Sequence, residues 1–152
     1  MAKVAPGSIK SYIYATGRRR EAVARVRLYT AASGKVTAQG IELKKGDVVV
    51  NGKPISEYFK FFTMAPAYNK ILVDTGTSGK YIFSIKVAGG GLNGQLDAAV
   101  MGMARALDKI DREKFHKTLR DAGYLTRDPR TRERRKVGNA GKARRKKSSP
   151  KR

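Results

Sequence analysis

The hydrophobic positions of this chain change period along its length. Residues 11–29 open with Tyr12, Ile13 and Tyr14 and close on AVARVRL (residues 22–28), where Val26 and Leu28 alternate with Arg25 and Arg27. A period of two is that of a half-exposed strand, and here the exposed face is basic. The intervening TGRRR (residues 16–20) reads as a strand break. Ser33-Gly34 signals a turn before a short strand at residues 35–38. Residues 41–47 are a polar excursion. Residues 48–50, three valines, form a strand ended by Asn51-Gly52, a dipeptide suited to a tight turn with positive φ. Residues 81–87 are the strongest strand, with Tyr81, Phe83, Ile85 and Val87 sharing a face.

Helical spacing first appears after residue 54. Residues 55–62 read as a short helix with Ser56 as N-cap, and residues 66–73 as a second, with Tyr68, Ile71 and Leu72 apolar. Residues 95–109 place Leu96, Val100, Met103 and Leu107 on one side. Residues 111–122 follow, with Asp111 as N-cap, Phe115 and Leu119 buried, and Gly123 as the stop. Strands first and helices later predict an α+β fold, a two-layer α/β sandwich.

Charge changes this picture. The chain has 152 residues and a formal net charge of +22. Residues 126–152 hold 13 basic and 2 acidic residues, a net +11 in 27 positions, and residues 1–125 carry the other +11 (21 basic, 10 acidic). The last stretch has one aliphatic residue larger than Ala, Val137, and no aromatic, so it cannot bury enough apolar surface to offset its own ordering. Three segments are expected: a flexible arm at residues 1–10, a globular α/β domain at 11–125 and an extended basic tail at 126–152. The tail could reach on the order of 80 to 90 Å. Polyphosphate backbones are the partner that rewards such charge, since each neutralised phosphate releases counterions. No run approaches the length of a membrane span, no secretory signal opens the chain, and Cys is absent. The expectation is a cytoplasmic protein with no membrane partner and no cofactor.

Gly89-Gly90-Gly91-Leu92-Asn93-Gly94 matches the spacing of a dinucleotide-binding loop after a strand and before a helix. No strand follows that helix to complete the unit, so a nucleotide cofactor is not expected. A permissive turn is one reading, and a backbone lying close to a nucleic-acid phosphate beside a helix N-terminus is another. His116 is the lone histidine, with no triad or metal cluster in view, and no nucleophile motif exists. An enzyme with a small-molecule substrate, or a metal site, has no residues to rest on. An architectural DNA binder fits the composition but lacks a helix-turn-helix or basic-zipper pattern. The candidate RNA-binding residues are Arg18, Arg19 and Arg20, Gly89, Gly90 and Gly91, and, in the tail, Arg127, Arg130, Arg134, Arg135, Lys136, Lys142, Arg144 and Arg145. Arginine predominates there, and its planar fork suits phosphate oxygens.

Several stretches in fixed order carry a resemblance. They are YATGRRREAVARVRL (14–28), VNGKPISEYF (50–59), VAGGGLNGQ (87–95), ARAL (104–107), LRDAGYLTRDPR (119–130), ERRKVG (133–138), KARR (142–145) and the pair Lys151-Arg152. Together they resemble the bacterial type of ribosomal protein nine of the small subunit. That resemblance implies a component of the subunit head, bound to ribosomal RNA beside other head proteins. It implies a β-α-β crossover of left hand, against the usual rule. It also implies a tail threaded to the peptidyl site, where Lys151 and Arg152 approach transfer-RNA phosphates. Two features depart from the family: residues 38–47 stand as an insertion expected to project as a long loop, and the aromatic usual near the terminal basic pair is missing before Ser149-Pro150.

Overall fold

The computed structural model describes residues 12–30 and 36–144. The expected arm, the Ser33-Gly34 turn, and Arg145, Lys151 and Arg152 lie outside the described residues. Strand β1 (Tyr12–Arg19) turns directly into β2 (Ala22–Tyr29). Two short strands follow, β3 (Val36–Ala38) and β4 (Ile41–Leu43), and then β5 (Val48–Val50) and β6 (Lys53–Pro54). Helix α1 (Ile55–Tyr58), a 3₁₀ turn at Phe62–Met64 and helix α2 (Ala65–Asp74) lead to β7 (Ile82–Ala88). Helices α3 (Leu92–Ile110) and α4 (Arg112–Asp121) complete the domain.

The main sheet has the order β1-β2-β7-β5-β6. Neighbours are antiparallel except β5 and β7, which run parallel and are joined through α1 and α2 as a β-α-β unit. The helices share one core with one face of the sheet, so the fold is the two-layer α+β arrangement expected. Val26 and Leu28 of β2, Phe83 and Ile85 of β7, Ile71 of α2, Met103 and Leu107 of α3 and Phe115 and Leu119 of α4 all enter that core. Alanines on both partners (Ala22 and Ala24, Ala98, Ala99 and Ala104) let α3 lie unusually close to β1 and β2.

Three expectations are corrected. The TGRRR stretch is not a strand break: β1 runs through it to Arg19, and the turn is Arg20-Glu21, with Arg20 at φ 51°. Gly17 is there for contact. A Cβ at Gly17 would stand 1.9 Å from the Ala98 carbonyl oxygen and 2.6 Å from the Gly102 nitrogen. Helix and strand meet backbone to backbone at that point.

Residues 38–47 do not project as a loop. β3 and β4 pair as a hairpin (Val36 opposite Leu43, Ala38 opposite Ile41) laid over the second face of the sheet. Val36, Ala38 and Leu43 bury against Tyr29, Val49 and Ile82 in a small second core. Gln39, held at φ 56°, donates from Nε2 to Ser84 Oγ (2.8 Å) and to the Ile85 carbonyl (3.1 Å). Finally, α1 stops at Tyr58, with Pro54 rather than Ser56 at its N-cap position and no capping side chain.

The remaining elements match their signals. Pro66 sits in the first turn of α2, where its missing N–H costs nothing. Asp111 caps α4 by accepting from the Lys114 N–H (3.1 Å), and Gly123 follows at φ 76°. No helix or strand forms after α4 among the described residues.

Candidate nucleic-acid interface

The RRR triplet lies at the end of the β1–β2 hairpin, and its members point three ways. Arg18 is exposed on the sheet face away from the helices, and Arg20 projects from the turn. Arg19 faces the helix side, where it is largely covered. Its Nε lies 3.3 Å from Asp97 of α3 and its Nη1 lies 2.7 Å from Asp128. Asp128 is also gripped by Arg130, through side-chain contacts of 2.6 to 3.0 Å and the Arg130 N–H at 2.9 Å. These bonds, those from Arg130 foremost, hold the Asp128 carboxyl well below the usual carboxylate range. The first tail residues are thus tied to the hairpin, although Arg19 and Asp128 are far apart in sequence.

The glycine turn packs against the same hairpin. A Cβ on Gly89 (φ 74°) would meet the Glu21 carbonyl oxygen at 2.4 Å, and one on Gly90 (φ 61°) the Ala22 Cβ at 3.1 Å. Gly91 is different. Its backbone is extended (φ −108°, ψ 171°), it stands as N-cap of α3 with no side-chain cap, and nothing lies within 4 Å of its would-be Cβ. Gly89 and Gly90 are explained by packing, while Gly91 leaves open space in front of a helix start.

A chain of side chains locks the turn from the other side. Asn51 is doubly bonded to Val87, donating to its carbonyl and accepting from its N–H, both at 3.0 Å. Its Nδ2 also reaches Tyr58 Oη (3.3 Å), which donates to Gln95 Oε1 (2.8 Å), and Gln95 Nε2 donates to the Gly89 carbonyl (3.1 Å). Two of the resembling stretches, 50–59 and 87–95, therefore meet in space. A third contributes Arg105, which donates to the Thr16 carbonyl (3.0 Å), and nearby Lys109 Nζ donates to the Tyr14 carbonyl (2.8 Å). Both cover the outer edge of β1, which would otherwise present unpaired carbonyls.

The domain's last residues are also secured. Tyr124 Oη donates to Asp74 Oδ2 (3.0 Å), and desolvation together with that carboxylate pushes its phenol up to about 12. Beyond it, Arg127, Arg130, Arg134, Arg135, Lys136, Lys142 and Arg144 are all exposed. The described tail bends through turns at Lys136-Asn139 and Asn139-Lys142, with Gly138 and Gly141 at positive φ, and Arg144 closes on Glu133 at 3.2 Å. His116, expected as an exposed or packing histidine, is half-buried, lies 2.8 Å from Asp108 through Nδ1 and joins α4 to α3. Among the described residues no three His, Asp or Glu side chains gather as a metal site, and no helix is long and apolar enough to cross a membrane.

Two features escaped sequence reasoning. Arg19's acidic partners are too distant in sequence to be guessed. Lys86, Tyr12 and Tyr14 join Arg25 and Arg27 on one sheet face, which only strand register reveals.

Comparison with known proteins places this architecture. The sequence model of the family described as "Ribosomal protein S9/S16" matches residues 17–152. The chain is 41% identical over 132 residues, 87% of its own length and 91% of the relative's, to "Small ribosomal subunit protein uS9" of Maridesulfovibrio salexigens. This is a structural ribosomal protein and not an enzyme. The chain belongs to the ribosomal protein S9 family of the small subunit, and its place is the ribosome.

Proposed function

We propose that the chain binds small-subunit ribosomal RNA in the head of a cytoplasmic ribosome, beside other head proteins, and that its tail extends to the transfer RNA in the peptidyl site. The observation that carries this reading is convergence. The hairpin turn bearing Arg18 and Arg20, the Gly89–Gly91 turn before α3, and the root of the tail at Asp128 meet at one end of the domain. Cations, an open helix start and a polycation thus approach one region from three parts of the sequence, as a phosphate backbone requires. Arg19 serves there as the brace of the tail root. The domain ends near Leu125, and residues 126–152 work as a tail, whose Arg127, Arg130, Arg134, Arg135, Lys136, Lys142, Arg144 and Arg145 meet ribosomal RNA. The turns seen in residues 133–144 open on binding, since arginine-rich segments of this kind order against RNA. Lys151 and Arg152 meet transfer-RNA phosphates.

Two truncations test the proposal. Deleting residues 126–152 should leave the thermal midpoint of the domain unchanged and lower the log–log salt dependence of ribosomal-RNA binding by on the order of 5 units. Removing only Lys151 and Arg152 should leave subunit assembly intact and weaken peptidyl-site transfer-RNA binding to purified subunits by about 1 to 2 kcal/mol. An unchanged slope would make the tail a bystander, and unchanged transfer-RNA affinity at low salt would remove the terminal pair from that site.

A further inference from the structure

The sheet has a second face, and among the described residues only one end of it is closed. The β3–β4 hairpin covers the end at Tyr29, Ile82 and Val49. Toward the β1–β2 turn no described residue covers the face. Register brings Thr16, Arg25 and Lys86 into one row across β1, β2 and β7, and Tyr14 and Arg27 into the next, whose β7 member, Ser84, is buried under Gln39 of the hairpin. Arg18 stands on the same side of β1, two residues beyond Thr16. Arg18, Arg25, Arg27 and Lys86 are exposed, and Tyr12 and Tyr14 are 41% and 43% exposed. The Arg27 guanidinium lies 4.9 Å from the centre of the Tyr12 ring. None of the four cations joins an ion pair among the described residues.

Folding does not account for this pattern. Arg25 and Lys86 are direct cross-strand partners, and like charges directly opposite each other are destabilising. The opposite face of the same strands packs on the helices, and its one cation, Arg19, is matched by Asp97 and Asp128, so the arrangement is not a general excess of charge. A sheet face with cations in register and aromatic rings among them suits a chain that offers both phosphates and free base faces. A duplex keeps its bases stacked inside, whereas an unpaired strand can lay them on a ring.

We propose that this open sheet face, Arg18, Arg25, Arg27 and Lys86 with Tyr12 and Tyr14, is a second docking surface that takes an unpaired stretch of ribosomal RNA. It rests on the reading of the chain as a ribosomal-RNA binder and adds a site separate from the tail. Phosphates lie against Arg25, Arg27 and Lys86, and a base stacks on Tyr14, which Arg27 faces across the strand pair. Tyr12 is engaged by Arg27 and orients that guanidinium.

The test uses the full chain and purified small-subunit ribosomal RNA. The triple substitution Arg25→Gln, Arg27→Gln, Lys86→Gln should lower the log–log salt slope by about 2 units, the amount expected for three lost contacts to a single strand. Its thermal midpoint should hold or rise, because the like-charge row is gone. Tyr14→Ala should weaken binding about tenfold with the slope unchanged, since stacking releases few counterions. An unaltered slope in the triple variant, with the tail deletion still flattening it, would sink the second surface and spare the tail. A triple variant that binds RNA normally yet fails to enter subunits would assign the face to a protein neighbour and overturn the inference. Failure of the unsubstituted chain to bind the RNA at all would remove both readings together.

Discussion

Arg25 and Arg144 carry the same charge on different footings. Arg25 stands in the middle of β2, with Thr16 on one neighbouring strand and Lys86 on the other, and its backbone position is set by eight-residue pairing with β1 and by pairing with β7. Arg144 stands in a segment without helix or strand, held by one exposed ion pair to Glu133. An exposed pair of that kind contributes little. The cations of the domain are positioned before any ligand arrives, so binding them costs little order. In the proposed function those of the tail are ordered at the moment of binding, which lowers the affinity gained per contact. The tail compensates with number and reach. In the proposed function the domain fixes where the protein sits on RNA, and the tail sets how strongly it holds and how far it extends.

The comparison breaks most visibly if the domain's footing is removed. Gly17→Ala drives a Cβ into the Ala98 carbonyl and the Gly102 nitrogen, neither of which can swing aside. The expected loss is about 3 kcal/mol, or about 15 °C in thermal midpoint, read by urea and thermal unfolding. The same substitution in the tail, Gly138→Ala, should leave the midpoint unmoved. A small effect at Gly17 would mean that α3 is not seated on β1 as described.

A finer division runs through the glycine turn. Gly90→Asp strains a backbone at φ 61° and presses on Ala22, so it should cost about 1 to 2 kcal/mol of stability. Gly91→Asp meets nothing, and as an acidic N-cap it should hold or raise stability. If phosphate approaches that helix start, Gly91→Asp should nevertheless weaken ribosomal-RNA binding about tenfold by like-charge repulsion. Equal RNA affinity in Gly91→Asp and the parent would confine the whole turn to packing.

The smallest effect is expected at the junction. The Asp128 carboxyl is depressed in the folded chain, so its pairing with Arg130 and Arg19 contributes above the ordinary carboxylate range and fades only as pH falls through the lowered folded value. Asp128→Asn should therefore leave stability at neutral pH almost unchanged and speed amide exchange of Arg130. It should also remove the acid-side loss of order in residues 127–130, followed by NMR. Unchanged exchange at Arg130 would show that the junction is held by other means.

Much of the fold was legible because local signals agreed with tertiary demands. The alternation of Val26 and Leu28 with Arg25 and Arg27, and the Leu96–Met103–Leu107 spacing of α3, report burial directly. Residues 41–47 did not, since Leu43 is their sole contribution to a core and it buries against residues from β2, β5 and β7. Gly17 looked like a break because local propensity sees only a missing side chain, not the helix that excludes one. At the candidate site, the tail's charge density was plain. The pairing of Arg19 with Asp97 and Asp128 was not, for it spans 78 and 109 positions. The open basic face needed register, a property of three strands and not of any one.

The contact at Gly17 also bears on how the chain is made. β1 can pair with β2 as soon as both have left the ribosome, but the helix that covers their apolar face begins at residue 92 and meets Gly17 at Ala98 and Gly102. Synthesis at about 5 to 20 residues per second leaves that face waiting for roughly 4 to 15 seconds. During the interval Val26 and Leu28 are exposed on a hairpin whose other face is cationic. Such a nascent intermediate is prone to stick to polyanions and to other unfinished chains. Its maturation is gated by arrival of the helix and not by the speed of hairpin formation.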